Sequence, residues 1–311
     1  MNSSVQHNPE TTSNGLPEHP SRTALVLGGG GSTGNAWLIG VIAGLCDAGM
    51  DVTAADLVVG TSAGSTAAAQ LAGATPTELF AGTLSAVIPQ RTSPVRSGGG
   101  GGAIAAVTDH LERSRRMIAA SANAADMRRR FGAAALEMAA ISDNSERWRA
   151  IVGERLPSQL WPQRRMLITA VDAQTGEPVV FDRHSGIDLV DAVAASCSSG
   201  PAYSIGDNRY IDGGYRSSAE NADLATGYER VLVLSPFGGQ SLTPPDWGMN
   251  LAAQVETLRA GGSRVELIFP ESDAEYFFGA NAMDLSLRPP AARAGYDQGR
   301  GLVDHLAQFW S

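Results

Sequence analysis

Gly60-Thr61-Ser62-Ala63-Gly64 sets a serine hydroxyl between two glycines, directly after the apolar run Asp56-Leu57-Val58-Val59 and before the small-residue stretch 63–71. A strand, a sharp turn and a helix form the setting in which G-x-S-x-G presents a nucleophile. The glycines relieve crowding around a strained serine, whose hydroxyl stands at the carboxyl end of a strand and the amino end of a helix. The bland alternative is a turn of small residues that lets strand and helix pack closely. Upstream, Gly28-Gly29-Gly30-Gly31-Ser32-Thr33-Gly34 also follows an apolar strand pattern and opens a helical one. Its backbone N–H groups are unshielded by side chains and suit an anion, either a phosphate or a transient oxyanion. The phosphate-loop pattern fails because no lysine follows. The dinucleotide pattern needs an acid at the end of the next strand, and that strand ends in Gly60-Thr61-Ser62 instead.

A serine nucleophile needs a base within hydrogen-bond reach. The histidines offer little. His7 and His19 lie in a polar leader, His110 in an arginine-rich stretch, His184 in a polar turn and His305 near the C-terminus. Ser62 follows only the second strand pattern, which departs from the Ser, Asp/Glu, His layout of α/β-hydrolases. Arg209-Tyr210-Ile211-Asp212-Gly213-Gly214 supplies another candidate: a short strand ending in a carboxylate, with glycines that let neighbouring backbone approach. An aspartate takes a serine proton when its surroundings raise its basicity. An ordinary Asp-Gly turn is the competing reading.

The elements that must hold these groups are legible as short apolar runs. Strand candidates are Thr23–Leu27, 56–59, 166–171, Arg230–Leu234 and 265–269, with helical patterns at about 34–49, 63–73, 76–87, 187–196, 248–260 and 290–309. Alternating buried strands and helices predict an α/β fold with a mostly parallel sheet. Open sheets of this kind bind ligands at the carboxyl ends of their strands, where both glycine motifs fall. The 311 residues, 43% hydrophobic and 18% charged, are ample for one large domain.

Three motifs in this order resemble the patatin-like phospholipase family of lipid acyl hydrolases. The flanking text agrees: LVLGGGG before the first helix, DLVVGTSAGS at the elbow, AVAASCSSGPAYS before RYIDGG, and NADLA after it. The resemblance implies an α/β/α sandwich, Ser62 as nucleophile and Asp212 as base. It also implies that the loop at Gly29, Gly30 and Gly31 is an oxyanion hole, which Ala63 N–H is expected to join. Gly34, Gly60, Gly64, Gly213 and Gly214 are its motif glycines. Members usually carry Arg or Lys where this chain has Thr33, so a cation supporting the loop is missing from that place. Histidine, metal and cofactor have no part in the implied chemistry, which is cleavage of carboxylic esters of lipids. A small-ester or thioester hydrolase, or a catalytically silent lipid- or nucleotide-binding protein, is the alternative.

The remaining features bound partners and place. A net charge of −9 argues against nucleic acid as a partner. Cys46 and Cys197 lack metal-ligand spacing, and Ser198-Ser199-Gly200-Pro201 reads as a loop wall near the site. Residues 1–22 are polar and read as a disordered leader, leaving 23–311 as the acyl hydrolase domain. Residues 88–162 read as a helical insertion or cap, opening with a mobile loop through the glycines at 98–102. Eleven arginines against seven acids in 103–165 leave that segment basic enough to touch anionic lipid or act as a lid, although solvated helix faces would look the same. No stretch is long and apolar enough to span a membrane, so cytoplasmic residence, with optional peripheral contact, is the expectation.

Overall fold

The structure, a computed structural model, describes residues 22–86 and 101–310, with the backbone alone for 101–106. Most of the expected leader and of the loop expected at 88–102 lies outside these residues. The chain runs through β1 (Thr23–Leu27), α1 (Gly31–Asp47), β2 (Leu57–Gly60), α2 (Ala63–Gly73) and α3 (Pro76–Ser85). Three helices follow: α4 (Gly101–Ala119), α5 (Ala124–Ile141) and α6 (Ser145–Arg155). Then come β3 (Arg165–Asp172), β4 (Pro178–Phe181), α7 (Leu189–Ser196), β5 (Tyr203–Ile205) and β6 (Asn208–Asp212). The last elements are β7 (Arg230–Leu234), α8 (Leu251–Ala260), β8 (Arg264–Ile268), α9 (Arg288–Gly301) and α10 (Val303–Trp310).

The eight strands among the described residues form one sheet in the order β5-β6-β3-β2-β1-β7-β8, with β4 also on β3. β8, β7, β1, β2 and β3 are parallel, while β4 and β6 meet β3 antiparallel and β5 meets β6 antiparallel. The parallel strands read as unbroken apolar runs because both faces are covered. Along β1, Leu25 and Leu27 enter the core under α1 and α7, whereas Ala24 and Val26 enter the core shared with α8. β7 repeats the alternation, with Leu232 and Leu234 on the first side and Val231 and Val233 on the second.

α9 lies along α1 through a seam of glycines. A Cβ at Gly40 would strike the Ala292 carbonyl, one at Gly44 the Tyr296 carbonyl, one at Gly295 the Trp37 carbonyl and one at Gly299 the Val41 carbonyl. Each helix thus carries two glycines one turn apart that allow backbone-to-backbone approach. Trp37 is fully buried beside the seam and meets Phe278 edge-on at 6.2 Å. The seam keeps the amino end of α1 beside the amino end of α9.

The arginine-rich stretch is helical, and its second helix belongs to the body of the fold. α5 places Met127, Phe131 and Ala135 in a core with Val171 and Ile211 of β3 and β6. Arg128 donates to the carbonyls of Gly176 (2.8 Å) and Arg216 (3.2 Å), and Arg149 pairs with Asp188 and Asp191. Arg113, Arg115 and Arg116 on α4 remain exposed. The glycine run expected to be loop up to 102 already enters α4 at Gly101.

Candidate active site

The register of β3 brings the two chemically marked positions to one level. Gly60, the last residue of β2, sits opposite Ile168, and Asp212, the last residue of β6, sits opposite Ala170. Two residues of strand span only about 6.6 Å, so the turn after β2 and the end of β6 meet at the carboxyl end of β3.

The turn is tight. Ser62 has φ 51° and ψ −116°, and it and Asn221 are the non-glycine residues of positive φ among those described. Its N–H donates to Ser196 Oγ at 2.9 Å, and its carbonyl accepts from Ser65 N–H at 2.9 Å and Thr66 N–H at 3.2 Å. The flanking glycines are there for space: a Cβ at Gly60 would lie 2.7 Å from Ser65 Cα, and one at Gly64 would overlap the Leu27 carbonyl. Gly64→Ala is therefore expected to cost about 3 kcal/mol through forced backbone shifts. A urea melt with an unchanged midpoint would contradict that packing.

Asp212 is 8% exposed. Its N–H donates to the Ser198 carbonyl at 2.9 Å, and its Oδ1 accepts from Gly214 N–H at 2.8 Å. Burial pushes its pKa up to about 6, against the opposing pull of the Gly214 N–H and the Ser62 hydroxyl.

Asn221 ties the two motifs together. Fully buried at φ 55°, it donates from Nδ2 to Thr61 Oγ1 (3.0 Å) and to the Gly213 carbonyl (2.9 Å), and Thr61 Oγ1 lies 2.9 Å from Thr169 Oγ1. One side chain thus bonds the residue before Ser62 and the residue after Asp212. The NADLA text begins at this residue, but its role is visible only in the structure, where its left-handed backbone is one that asparagine tolerates.

The glycine loop lies against the same point, since a Cβ on Gly29 would sit 3.6 Å from Ser62 Cβ. The structure corrects one expected donor. Gly29 N–H already donates to the Ala219 carbonyl at 2.8 Å, and Gly28 N–H to Leu234 at 3.0 Å, so neither is open to an oxyanion. The N–H groups of Gly30, Gly31 and Ala63 have no hydrogen-bond acceptor among the described residues. Gly31 needs φ 66° and would push a Cβ to 2.7 Å from the Ala282 carbonyl, while Gly30 and Gly34 pack on Pro236. Thr33 is fully buried and donates from Oγ1 to the Phe277 carbonyl at 2.7 Å, so it stitches the 277–282 segment to the loop and bears no charge there.

Other candidates fall away from this chemistry. His184 is exposed, His305 lies 3.5 Å from Glu266, and His110 faces the Tyr215 hydroxyl at 3.4 Å. Burial, with Arg113 beside it, lowers the His110 pKa and favours its neutral form. Cys197 points Sγ at the Ser62 carbonyl at 3.2 Å, and burial pushes its thiol up to about 11, which makes it inert as a nucleophile. Ser196 Oγ and the Ser198 carbonyl back the site through the bonds above. No cluster able to hold a metal occurs among the described residues.

The family model described as Patatin-like phospholipase matches residues 25–225. Among solved structures, the type III effector protein ExoU is 18% identical over 94% of this chain and 54% of its own, with a TM-score of 0.43. VipD from Legionella pneumophila is 14% identical over 92% of this chain and 67% of its own, also at 0.43. This chain therefore spans about half the length of the ExoU chain. No curated protein sequence gives a significant match.

Proposed function

This chain belongs to the patatin-like phospholipase family, and we propose that it is a serine acyl hydrolase that cleaves carboxylic esters of lipids with Ser62 and Asp212. The observation that carries the reading is the buried carboxylate of Asp212, its pKa pushed up to about 6 by burial and drawn back in part by the Ser62 hydroxyl, beside amides that have no acceptor among the described residues.

In this cycle Asp212 takes the Ser62 proton as Oγ attacks the ester carbonyl. The carbonyl oxygen becomes an oxyanion, received by the N–H groups of Gly30, Gly31 and Ala63. The tetrahedral species collapses, the ester C–O bond breaks, and Asp212 returns the proton to the leaving alcohol. A water then loses a proton to Asp212 as it attacks the acyl-enzyme, the bond from the acyl carbon to Ser62 Oγ breaks, Asp212 returns the proton to Oγ, and the fatty acid leaves. Each oxyanion donor is worth roughly 10²–10³ in rate. The dipole of α2, which starts at Ala63, favours the developing charge.

The sign of the pH dependence follows from Asp212. Only the charged carboxylate can accept a proton, and burial has moved its titration up to about 6. Turnover should thus fall below that pH and level off above it. A panel of phospholipids, neutral glycerolipids, p-nitrophenyl esters and thioesters, assayed from pH 4.5 to 8.5, tests both substrate class and base. A profile flat through pH 6 would remove Asp212 as the base, and thioesters outrunning lipids would move the substrate class.

No helix among the described residues is long and apolar enough to cross a membrane. On this reading the protein meets lipid peripherally, with the exposed Arg113, Arg115 and Arg116 of α4 toward anionic headgroups. Flotation should favour anionic over zwitterionic vesicles, and equal flotation would reject the electrostatic part.

A further inference from the structure

Arg288 opens α9, and its guanidinium reaches from there to the first turn of α1. Nη1 donates to the Ser32 carbonyl at 2.7 Å and lies 3.2 Å from Ser32 Oγ, while Nη2 donates to Asn35 Oδ1 at 3.1 Å. Asn35 is 5% exposed and passes the connection on, from Nδ2 to Gln70 Oε1 at 3.0 Å and to the Ala63 carbonyl at 3.5 Å. One fork of donors therefore joins the residue after Gly31 to the residue after Ser62. No carboxylate among the described residues pairs with Arg288.

That placement is electrostatically uphill. The amino end of α1, a 17-residue helix, already carries partial positive charge, and a cation there is unfavourable unless negative charge develops nearby. Burial, with Arg155 near by, also lowers the Arg288 pKa, which marks a guanidinium held in a costly setting. A structural tie between α1 and α9 would not need a cation, because the glycine seam already packs the two helices.

We propose that Arg288 is a positioning residue of the oxyanion site, holding the Gly30–Gly31 amides and the Ala63 amide in convergence by bracing Ser32 and Asn35 together. Its charge adds to the potential felt by the oxyanion. The inference rests on the serine-hydrolase reading of Ser62. It also supplies a cation to the loop from 256 residues away in sequence, where Thr33 offers none.

The test is steady-state kinetics of Arg288→Met and Arg288→Lys on a short-chain ester, normalised to serines titrated with a fluorophosphonate, with melting curves alongside. For Arg288→Met, kcat per active serine should fall on the order of 10–100-fold, below the loss of a direct donor. KM should stay within about threefold, as for an interaction made in the transition state. Lysine keeps the charge but not the fork, so Arg288→Lys should lose roughly tenfold and decides the matter if the methionine variant does not fold. The pH midpoint should not move, since the base is untouched. Variants whose kcat per titrated serine stays within about twofold of wild type overturn the inference, whatever their melting temperatures. A wild type without turnover or labelling overturns the underlying reading and this inference with it, whereas an active wild type with unimpaired variants overturns this inference alone.

Discussion

Asp212→Asn is expected to lose roughly 10³-fold in kcat/KM and, at neutral pH, to be more stable than the wild type. The two effects share one cause. The carboxylate is buried, and its pKa is pushed from 3.8 up to about 6, so holding it charged opposes folding. A tenfold change in proton affinity corresponds to about 1.4 kcal/mol, so a shift of this size makes the relief on the order of 3 kcal/mol. The folded protein binds the proton more tightly than the unfolded chain. The group's contribution is therefore most favourable below its ordinary value of 3.8 and is lost as pH rises through about 6. The stabilisation in Asp212→Asn should accordingly shrink toward zero as melts move from pH 7.5 to pH 4. Asparagine can still accept the Gly214 N–H bond through its amide oxygen. An inactive variant that is also less stable at neutral pH would mean that the carboxylate serves the fold instead.

Ser62→Ala is expected to abolish ester cleavage, leaving only the uncatalysed background, because no other activated nucleophile among the described residues lies at this point. Cys197, whose Sγ lies 3.2 Å from the Ser62 carbonyl, has its thiol pushed up to about 11. Ser62→Gly separates the hydroxyl from the backbone. Both variants lack the nucleophile, but only glycine relieves φ 51°, so Ser62→Gly should be more stable than Ser62→Ala by about 1 kcal/mol. Equal denaturant midpoints for the two would show that the turn stores no strain. Residual turnover in Ser62→Ala above background would assign the chemistry elsewhere.

Much of this arrangement is legible in local sequence, because local chemistry dictates it. An apolar run, two glycines around a serine and a run of small residues leave few outcomes other than strand, turn and helix, and the structure forms β2, the Ser62 turn and α2 there. The parallel strands were readable for the same reason, being buried on both faces. β4 and β5 escaped reading as short antiparallel strands whose partners set their register. The 290–309 pattern divides into α9 and α10 at Leu302. Which glycine amide stays open could not be read at all. Gly29 and Gly30 are the same residue type, and only the position of the Ala219 carbonyl distinguishes them. Asn221 and Arg288 were hidden for a related reason, since each acts through contacts far along the chain. The meeting of Ser62 with Asp212 belongs to both levels. The motifs name the residues, and the register of β3 makes them neighbours.

Reaction with a fluorophosphonate, followed by intact-mass and peptide mass spectrometry, tests this chemistry most directly. One adduct per chain is predicted on the peptide containing Ser62, absent from Ser62→Ala and formed far more slowly by Asp212→Asn. Ester turnover by a protein whose Ser62 stays unmodified, or an adduct on another residue that accounts for the lost activity, would contradict the account.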